Sequence, residues 1–166
     1  LYKLAGKMSV RLLSIEGGSK DNAIPRNCCA KLLVDSDVDQ KAALHIVEKQ
    51  MDQISEEYRL TDGGITFRVS WEDATEIPVK VLGKADTKKI IDFLMLTPNG
   101  LIERDPVDRD LPQTSLNLGI LNSSEDKITA VYLVRSSVNS QKKYLQKKVE
   151  TLVELLGGTT EVKGAY

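Results

Sequence analysis

The chain has 166 residues, 41% of them hydrophobic and 28% charged, which suits one medium-sized domain or two small packed subdomains. The 23 basic and 24 acidic residues give a formal net charge of −1, so the sequence favours no basic surface for nucleic acid. No apolar run approaches the roughly 20 residues that span a bilayer, so no membrane partner is expected. The start, "LYKLAGKMSV", has neither a signal-peptide core nor an initiator Met, and we expect an excised fragment.

Hydrophobic periodicity predicts the elements in chain order. Residues 1–6 are predicted to end a helix that begins upstream. The rest of the first half is predicted to contain, in order, strand 9–16, strand 29–35, helix 39–59 and strand 65–71. For the second half, the predicted order is strand 77–83, helix 87–96, strands 114–121 and 128–136, helix 139–156 and strand 159–164.

The second half follows the split βαβ order, strand–helix–strand–strand–helix–strand, of a ferredoxin-like sandwich. The first half follows the same order, but its opening strand and most of its first helix are missing. We therefore predict an α+β fold of two ferredoxin-like halves, with antiparallel sheets and helices on one face. The predicted boundaries are residues 1–72 for the incomplete half and 73–166 for the complete one.

Side chains that could carry chemistry by themselves are scarce. Cys28 and Cys29 are adjacent, which suits neither a disulfide between them nor a zinc knuckle, and they are expected to be half-buried residues that begin a strand in a reducing compartment. His45 lies one step off an apolar helical stripe and is expected at the surface. The acidic run 35–39 lacks the spacing of a calcium loop and is expected at a helix N-terminus. The sequence thus predicts no metal site and no catalytic triad in this chain.

Three polar positions suggest a binding site. Asn22 lies in "GGSKDNAIPRN" (17–27), an unusually long connection between two apolar runs, Asn117 lies within a strand, and Arg135 ends one. Each has an ordinary interpretation, as a turn cap, a water-facing residue and a rim residue respectively. Together, an amide and a guanidinium at corresponding ends of adjacent hairpins suit a carboxylate or an oxyanion.

Five ordered segments carry a resemblance to a known family. They are "KDNAIPRN", "LTPNGLIERD", "QTSLNLGIL", "VYLVRSSVNS" and "TTEVKGAY". In this order and at similar spacing they resemble the bacterial Xaa-His dipeptidases (aminoacyl-histidine dipeptidases), which are zinc exopeptidases. The resemblance covers essentially the whole chain. It departs from the family pattern at Lys20-Asp21 and in the variable loop "DPVDRDLP" (105–112).

The resemblance implies that this chain is a lid domain of two ferredoxin-like halves, inserted into a catalytic domain that holds two zinc ions. It implies that Asn22 holds the substrate backbone and that Arg135 binds the C-terminal carboxylate. Asn117 is kept as a further substrate-binding candidate from its residue type and position alone. The oxyanion-stabilising histidine of the family would lie upstream of Leu1, and His45 does not replace it. The fragment itself is then non-catalytic and binds no metal.

The partners that the resemblance implies are the catalytic domain of the same chain, a dipeptide substrate and, in a homodimer, a second lid. It also implies a cytoplasmic enzyme. A different class stays open at this level, because ferredoxin-like pairs also serve as stand-alone ligand-binding or dimerisation modules.

Overall fold

The computed structural model describes residues 1–72, 74 and 81–164. Within these residues it contains four helices and five strands. In chain order these are α1 Tyr2–Ala5, β1 Val10–Gly17, β2 Cys28–Val34, α2 Gln40–Glu57, α3 Lys84–Leu96, β3 Gly100–Arg104, β4 Pro112–Ser123, β5 Ile128–Ser136 and α4 Asn139–Leu155. In the described part of the chain, no helix is both long and apolar enough to cross a lipid bilayer.

The strand β4 is the common partner of three other strands. Along one edge it pairs antiparallel with β5, from Thr114 opposite Ser136 to Ser123 opposite Ile128. Along the other edge, β3 covers its first residues and β1 meets it only at Gly17 opposite Leu121. The strand order is β2-β1-β4-β3, with β5 on the remaining edge of β4. The predicted α+β class with an antiparallel sheet is therefore confirmed.

The pairing of β4 with β5 contains a β-bulge at Gly119. Leu118 lies opposite Tyr132, yet Ile120 lies opposite the adjacent residue Val131, so one residue of β4 is left over. The bulge also shifts the buried positions of β4 by one residue, from the even numbers 114 and 116 to the odd numbers 119 and 121. The register of the strand thus changes where it carries a glycine.

Contacts divide the chain into two units, the first formed by residues 1–13 and 32–87. Its core is Leu4, Val10 and Ala43, with half-buried neighbours on α1, β2 and α2. The backbone N–H of Leu12 donates to the Thr87 hydroxyl at 2.9 Å, so a buried side chain satisfies a strand amide.

The second unit is formed by residues 14–31 and the chain from Lys88 onward. Its helix α4 packs on β5. From α3, Phe93 meets Tyr132 of β5 edge-to-face, with ring centroids 6.0 Å apart. Burial raises the pKa of Tyr132, although a hydrogen bond with Thr97 opposes that shift. The proposed boundary between residues 72 and 73, and the arrangement as two ferredoxin-like halves, stay predictions.

The three long predicted helices are confirmed, as are four predicted strands, each within two residues at its ends apart from an earlier start for α3. Asp39, in the acidic run that was expected at a helix N-terminus, accepts a hydrogen bond from the Lys41 N–H at 2.9 Å and caps α2. The sequence analysis missed β3, whose residues "GLIER" do not alternate and follow a predicted helix stop. Its pairing with β4, and not its own periodicity, makes it a strand.

Two predicted strands are wrong. Residues 65–71 and 159–164 belong to no strand of the structure. Ile65 and Phe67 are half-buried between exposed neighbours, so the alternation of side chains is partly real, but the backbone lacks a ladder. A strand requires a neighbour to pair with, and among the described residues none pairs with 65–71 or 159–164. The predicted strand 77–83 lies mainly outside the described residues.

A charge cluster lies around Asp35 at the end of β2. Its carboxylate lies 3.1 Å from the Lys84 ammonium and 3.4 Å from the Arg11 guanidinium. The nearby Ser9 hydroxyl, the Lys84 ammonium and the Arg11 guanidinium together hold the pKa of Asp35 below its usual value. All of these residues lie in the first unit.

We predict that Asp35 makes the protein less stable in acid. Because its pKa is lower in the folded than in the unfolded state, its contribution is complete above the unfolded pKa of about 3.9 and is lost as the pH falls through the folded value. Urea denaturation between about pH 6 and pH 2.5 measures this effect. The Asp35→Asn variant should lose less stability over that range than the unmodified protein. Asp37→Asn is the control, since Asp37 is exposed and pairs with no cation among the described residues. Equal pH dependence in the unmodified protein and Asp35→Asn would contradict the prediction.

Candidate functional site

A cleft of about 230 Å³ lies within the second unit, between the loop that joins β1 to β2 and the sheet formed by β4 and β5. That loop, Gly18–Asn27, is called the Asn22 loop below. The loop contributes one polar and one apolar side chain to the cleft, and the sheet forms the floor of the cleft. The residues that matter for the chemistry of the cleft are Asn22, Ile24, Ser115, Asn117, Leu133 and Arg135.

The floor of the cleft is a block of four side chains on β4 and β5. Ser115 lies directly opposite Arg135, and Asn117 lies directly opposite Leu133. Because side chains alternate along a strand, residues two apart share a face, and directly opposed residues are neighbours across it. The guanidinium of Arg135 is thereby placed on a rigid hairpin, next to a hydroxyl and an aliphatic side chain.

The Arg135 side chain is exposed and has no acidic partner. Among residues 1–72, 74 and 81–164 it makes no hydrogen bond or ion pair with another residue. A guanidinium offers a planar fork of N–H donors that matches a carboxylate in a bidentate manner. The cleft therefore contains an unneutralised cation whose preferred ligand is a carboxylate or a similar planar anion.

The Asn22 loop carries an exposed amide over this floor. The backbone N–H of Ala23 donates to the Lys20 carbonyl at 3.4 Å, which closes a turn with Asn22 inside it. In the part of the chain that the structure describes, the Asn22 side chain has no hydrogen-bond partner and is open to solvent. Next to it, Ile24 is 85% exposed. An isolated apolar side chain at a loop tip that lines a cleft is suited to contact a ligand.

A hydrogen-bonded contact holds this loop on β4. The Asn117 amide nitrogen donates to the Asp21 carbonyl at 2.9 Å and to the Ala23 carbonyl at 3.0 Å. Both acceptors belong to the residues that flank Asn22. The sequence analysis placed Asn117 among the substrate-binding candidates, and the structure shows its N–H groups directed to the loop.

Glycines allow the loop to approach β4 closely. A Cβ on Gly119 would lie within 3.0 Å of the Asp21 and Lys20 backbone. Gly18 has φ +69°, and a Cβ there would collide with the Gly119 carbonyl oxygen. No other residue type fits this contact without moving one of the two backbones. The two glycines therefore determine how near Asn22 lies to the floor.

Among the described residues, no strand pairs with the edge of β4 under the loop, since β3 ends its pairing at Leu116 and β1 pairs at Leu121. Within this gap, the Leu118 N–H donates to the Asn99 side-chain oxygen at 2.7 Å. Asn99 stands in the "LTPNG" segment, where Gly100 with φ +91° begins β3. Side chains thus replace the missing ladder bonds and leave room for the Asn22 loop.

Comparisons with known proteins support a relationship along almost the whole chain. The chain is 30% identical over 163 residues to the cytosol non-specific dipeptidase of Escherichia coli (strain K12). This alignment covers 98% of this chain and 33% of that protein. The structure of this chain matches the crystal structure of aminoacylhistidine dipeptidase from Vibrio alginolyticus with a TM-score of 0.87 and 26% identity, over 98% of this chain and 32% of the other. The resemblance to bacterial aminoacyl-histidine dipeptidases is confirmed. The chain spans about a third of the length of each relative. No protein-family model matches it.

The structure brings Asn22, Asn117 and Arg135 to one cleft, as their joint interpretation required. Cys28 and Cys29 are not among the residues that line this cleft. Cys28 and Cys29 begin β2 but are exposed free thiols, so the expectation that they are half-buried is wrong. Partial desolvation of the Cys28 sulfur, together with the neighbouring Cys29, raises the pKa of Cys28, which disfavours a reactive thiolate.

Several residues of the cleft were missed by sequence reasoning. Ser115 and Leu133 could have been found, because each lies two positions from a predicted site residue on the same strand and therefore shares its face. Asn99 could not, since its role depends on the gap between β3 and β1.

The described residues do not fit a metal site. Within residues 1–72, 74 and 81–164, no group of three or more His, Cys, Asp or Glu side chains could hold a metal ion. His45 is an exposed residue of α2, in the first unit. What the cleft offers chemically is anion binding by a guanidinium and hydrogen bonding by an amide, next to apolar surface.

We predict that Gly119→Ala lowers the free energy of unfolding by about 1–3 kcal/mol, because the added methyl group must displace the Asn22 loop or the strand. The measurement is urea denaturation followed by circular dichroism. Gly64→Ala is the matched control, since a Cβ there would have only the Asp62 carboxylate at 4.0 Å and the backbone is not left-handed. That control should change stability by less than about 1 kcal/mol. Equal stability of the Gly119→Ala variant and the unmodified protein would show that the loop backbone is not in close contact with β4 at Gly119.

Proposed function

We propose that this chain is the lid domain that binds the substrate in a dinuclear-zinc dipeptidase acting on short dipeptides of the Xaa-His type. One observation carries the proposal: a guanidinium that has no acidic partner among the described residues shares a cleft with an exposed amide, in a chain that aligns over 98% of its length with a third of two dipeptidases. The proposal includes the two ferredoxin-like halves, residues 1–72 and 73–166. It also includes a cytoplasmic location, since one relative is named a cytosol enzyme.

In this proposal Arg135 binds the C-terminal carboxylate of the dipeptide through paired N–H···O bonds. Asn22 hydrogen-bonds the peptide backbone, for which a carboxamide offers both a donor and an acceptor. The cleft volume of about 230 Å³ is smaller than the roughly 300 Å³ at which pockets for whole drug-sized ligands begin. It therefore suits one end of a dipeptide, with the scissile bond outside the cleft.

Hydrolysis itself belongs to another part of the enzyme in this proposal. The described residues do not fit a zinc site, so we assign both zinc ions to a catalytic domain in the same polypeptide. This chain contributes binding and orientation. Its partners are then that catalytic domain, the dipeptide and, in a homodimer, a second lid. When the lid closes on a bound dipeptide, it excludes water and presents Asn22 and Arg135 together.

We predict that Arg135→Ala and Asn22→Ala in the complete enzyme each lower kcat/KM for a dipeptide by about 30- to 1000-fold, which corresponds to roughly 2–4 kcal/mol of binding in the transition state. Stability should change by only about 0.5–1 kcal/mol, because both side chains are exposed. Steady-state kinetics and urea denaturation measure the two effects. Arg135→Lys separates charge from geometry, since lysine keeps the charge and loses the planar fork.

Two control variants test whether any lost arginine or asparagine would do the same. Arg68→Ala and Asn122→Ala remove exposed side chains that do not line the cleft, and both should leave kcat/KM within about two-fold. Near-normal kinetics in both Arg135→Ala and Arg135→Lys would rule out carboxylate binding at this position.

The isolated 166-residue chain should hydrolyse no dipeptide and should retain no stoichiometric zinc after dialysis. The physical reason is the lack of a ligand set among its described residues. Carnosine turnover and elemental analysis of the dialysed chain are the measurements. Turnover, or one zinc ion per chain, would contradict the assignment of hydrolysis to another domain.

A further inference from the structure

We infer that Asn117 is a positioning residue, which sets the place of Asn22 through the loop backbone and donates no hydrogen bond of its own to the substrate. The inference rests on the proposed function, because it concerns how the same cleft is assembled. It assigns to Asn117 a role different from that of its neighbours Arg135 and Ser115, which face the cleft from the same sheet.

Both N–H donors of the Asn117 side chain hold the loop and are therefore not free to bind a ligand. The Asn117 amide nitrogen carries two hydrogens, and they are used by the Asp21 carbonyl at 2.9 Å and the Ala23 carbonyl at 3.0 Å. A substrate carbonyl or carboxylate can compete for these N–H groups only if the loop is released. The bonds fix the peptide groups on both sides of Asn22, so they fix the direction in which its side chain leaves the backbone.

The loop has little else to hold its tip. Its own backbone bonds are long, 3.4 Å from Ala23 to Lys20 and 3.3 Å from Gly18 to Asn27, at or beyond the usual range for N–H···O bonds. Residues 19–24 are exposed, so no core packing restrains them. The close contact with Gly119 limits how near the loop can come to β4, but it does not attract the loop. The attraction that orders Asn22 therefore comes from Asn117.

Asn117→Asp tests this inference with almost no change in shape. A carboxylate cannot donate, and its oxygens would repel the carbonyls that the amide now binds. Asn117→Ala removes the group without introducing a charge. Asn122→Asp is the matched control, since Asn122 is exposed on the same strand and has no side-chain partner among the described residues.

The first measurement is amide hydrogen exchange by NMR, and it requires no enzymatic activity. In both Asn117 variants the Ala23 amide should exchange at least about ten-fold faster, because its turn opens more often. The Leu145 amide in α4 should exchange at an unchanged rate, which separates loop opening from a general loss of stability. Asn122→Asp should leave both rates unchanged. An unchanged Ala23 rate in Asn117→Asp and Asn117→Ala would overturn the inference.

The second measurement is a double-mutant cycle on kcat/KM in the complete enzyme. Asn117→Ala, which adds no charge beside Arg135, should lower kcat/KM by about ten-fold or more in the unmodified background and by less than about two-fold in the Asn22→Ala background, because it acts through Asn22. A full additional loss in the double variant would show that Asn117 contacts the substrate by itself, which overturns the inference. If Asn22→Ala alone has normal kinetics, the proposed function fails, and the exchange rates still decide whether Asn117 holds the loop.

Discussion

The close approach of the Asn22 loop to β4 is the constraint on which the cleft depends. Two glycines face each other there, and neither could carry a Cβ without moving a backbone. The approach also requires that the edge of β4 has no neighbouring strand between Leu116 and Leu121, which is where β3 and β1 leave it uncovered. A continuous sheet at this point would fill the space that the loop occupies. The gap in the sheet and the glycine at the bulge, Gly119, together allow the loop to lie where it forms one wall of the cleft.

The two walls of the cleft differ in what stabilises them. The floor belongs to a hairpin that packs on α4 and whose reverse face holds Tyr132 against Phe93. The opposite wall is an exposed loop, held by side-chain hydrogen bonds and glycine contacts. Segments with few buried contacts open locally far more easily than a packed core. The backbone that carries Arg135 is consequently held more firmly than the loop backbone that carries Asn22, which can shift when a ligand enters or leaves.

Periodicity was sufficient to predict the long helices and the paired strands β4 and β5, since each buries one regular face. It was insufficient wherever a partner decides the outcome. Residues 65–71 alternate as a strand should but lack a ladder, whereas "GLIER" does not alternate and becomes β3 because β4 is beside it. The three polar candidates were found from residue type and position, Asn22 and Arg135 near chain reversals and Asn117 within a strand. The contact between Asn117 and the loop was not, because it joins residues 94 and 96 positions apart.

The lack of an acidic partner for Arg135 in the part of the chain that the structure describes has an energetic explanation. The chain contains 24 acidic residues, and one of them, Asp35, pairs with two cations elsewhere. The sequence is therefore not short of carboxylates that could pair with an arginine. An exposed ion pair contributes only about 0–1 kcal/mol, and the fold therefore loses little by leaving Arg135 unpaired. A ligand carboxylate would otherwise have to displace an internal one, which would cost much of its own binding energy. A guanidinium on a rigid strand, without an acidic neighbour and already partly surrounded by cleft walls, binds an incoming carboxylate with little reorganisation.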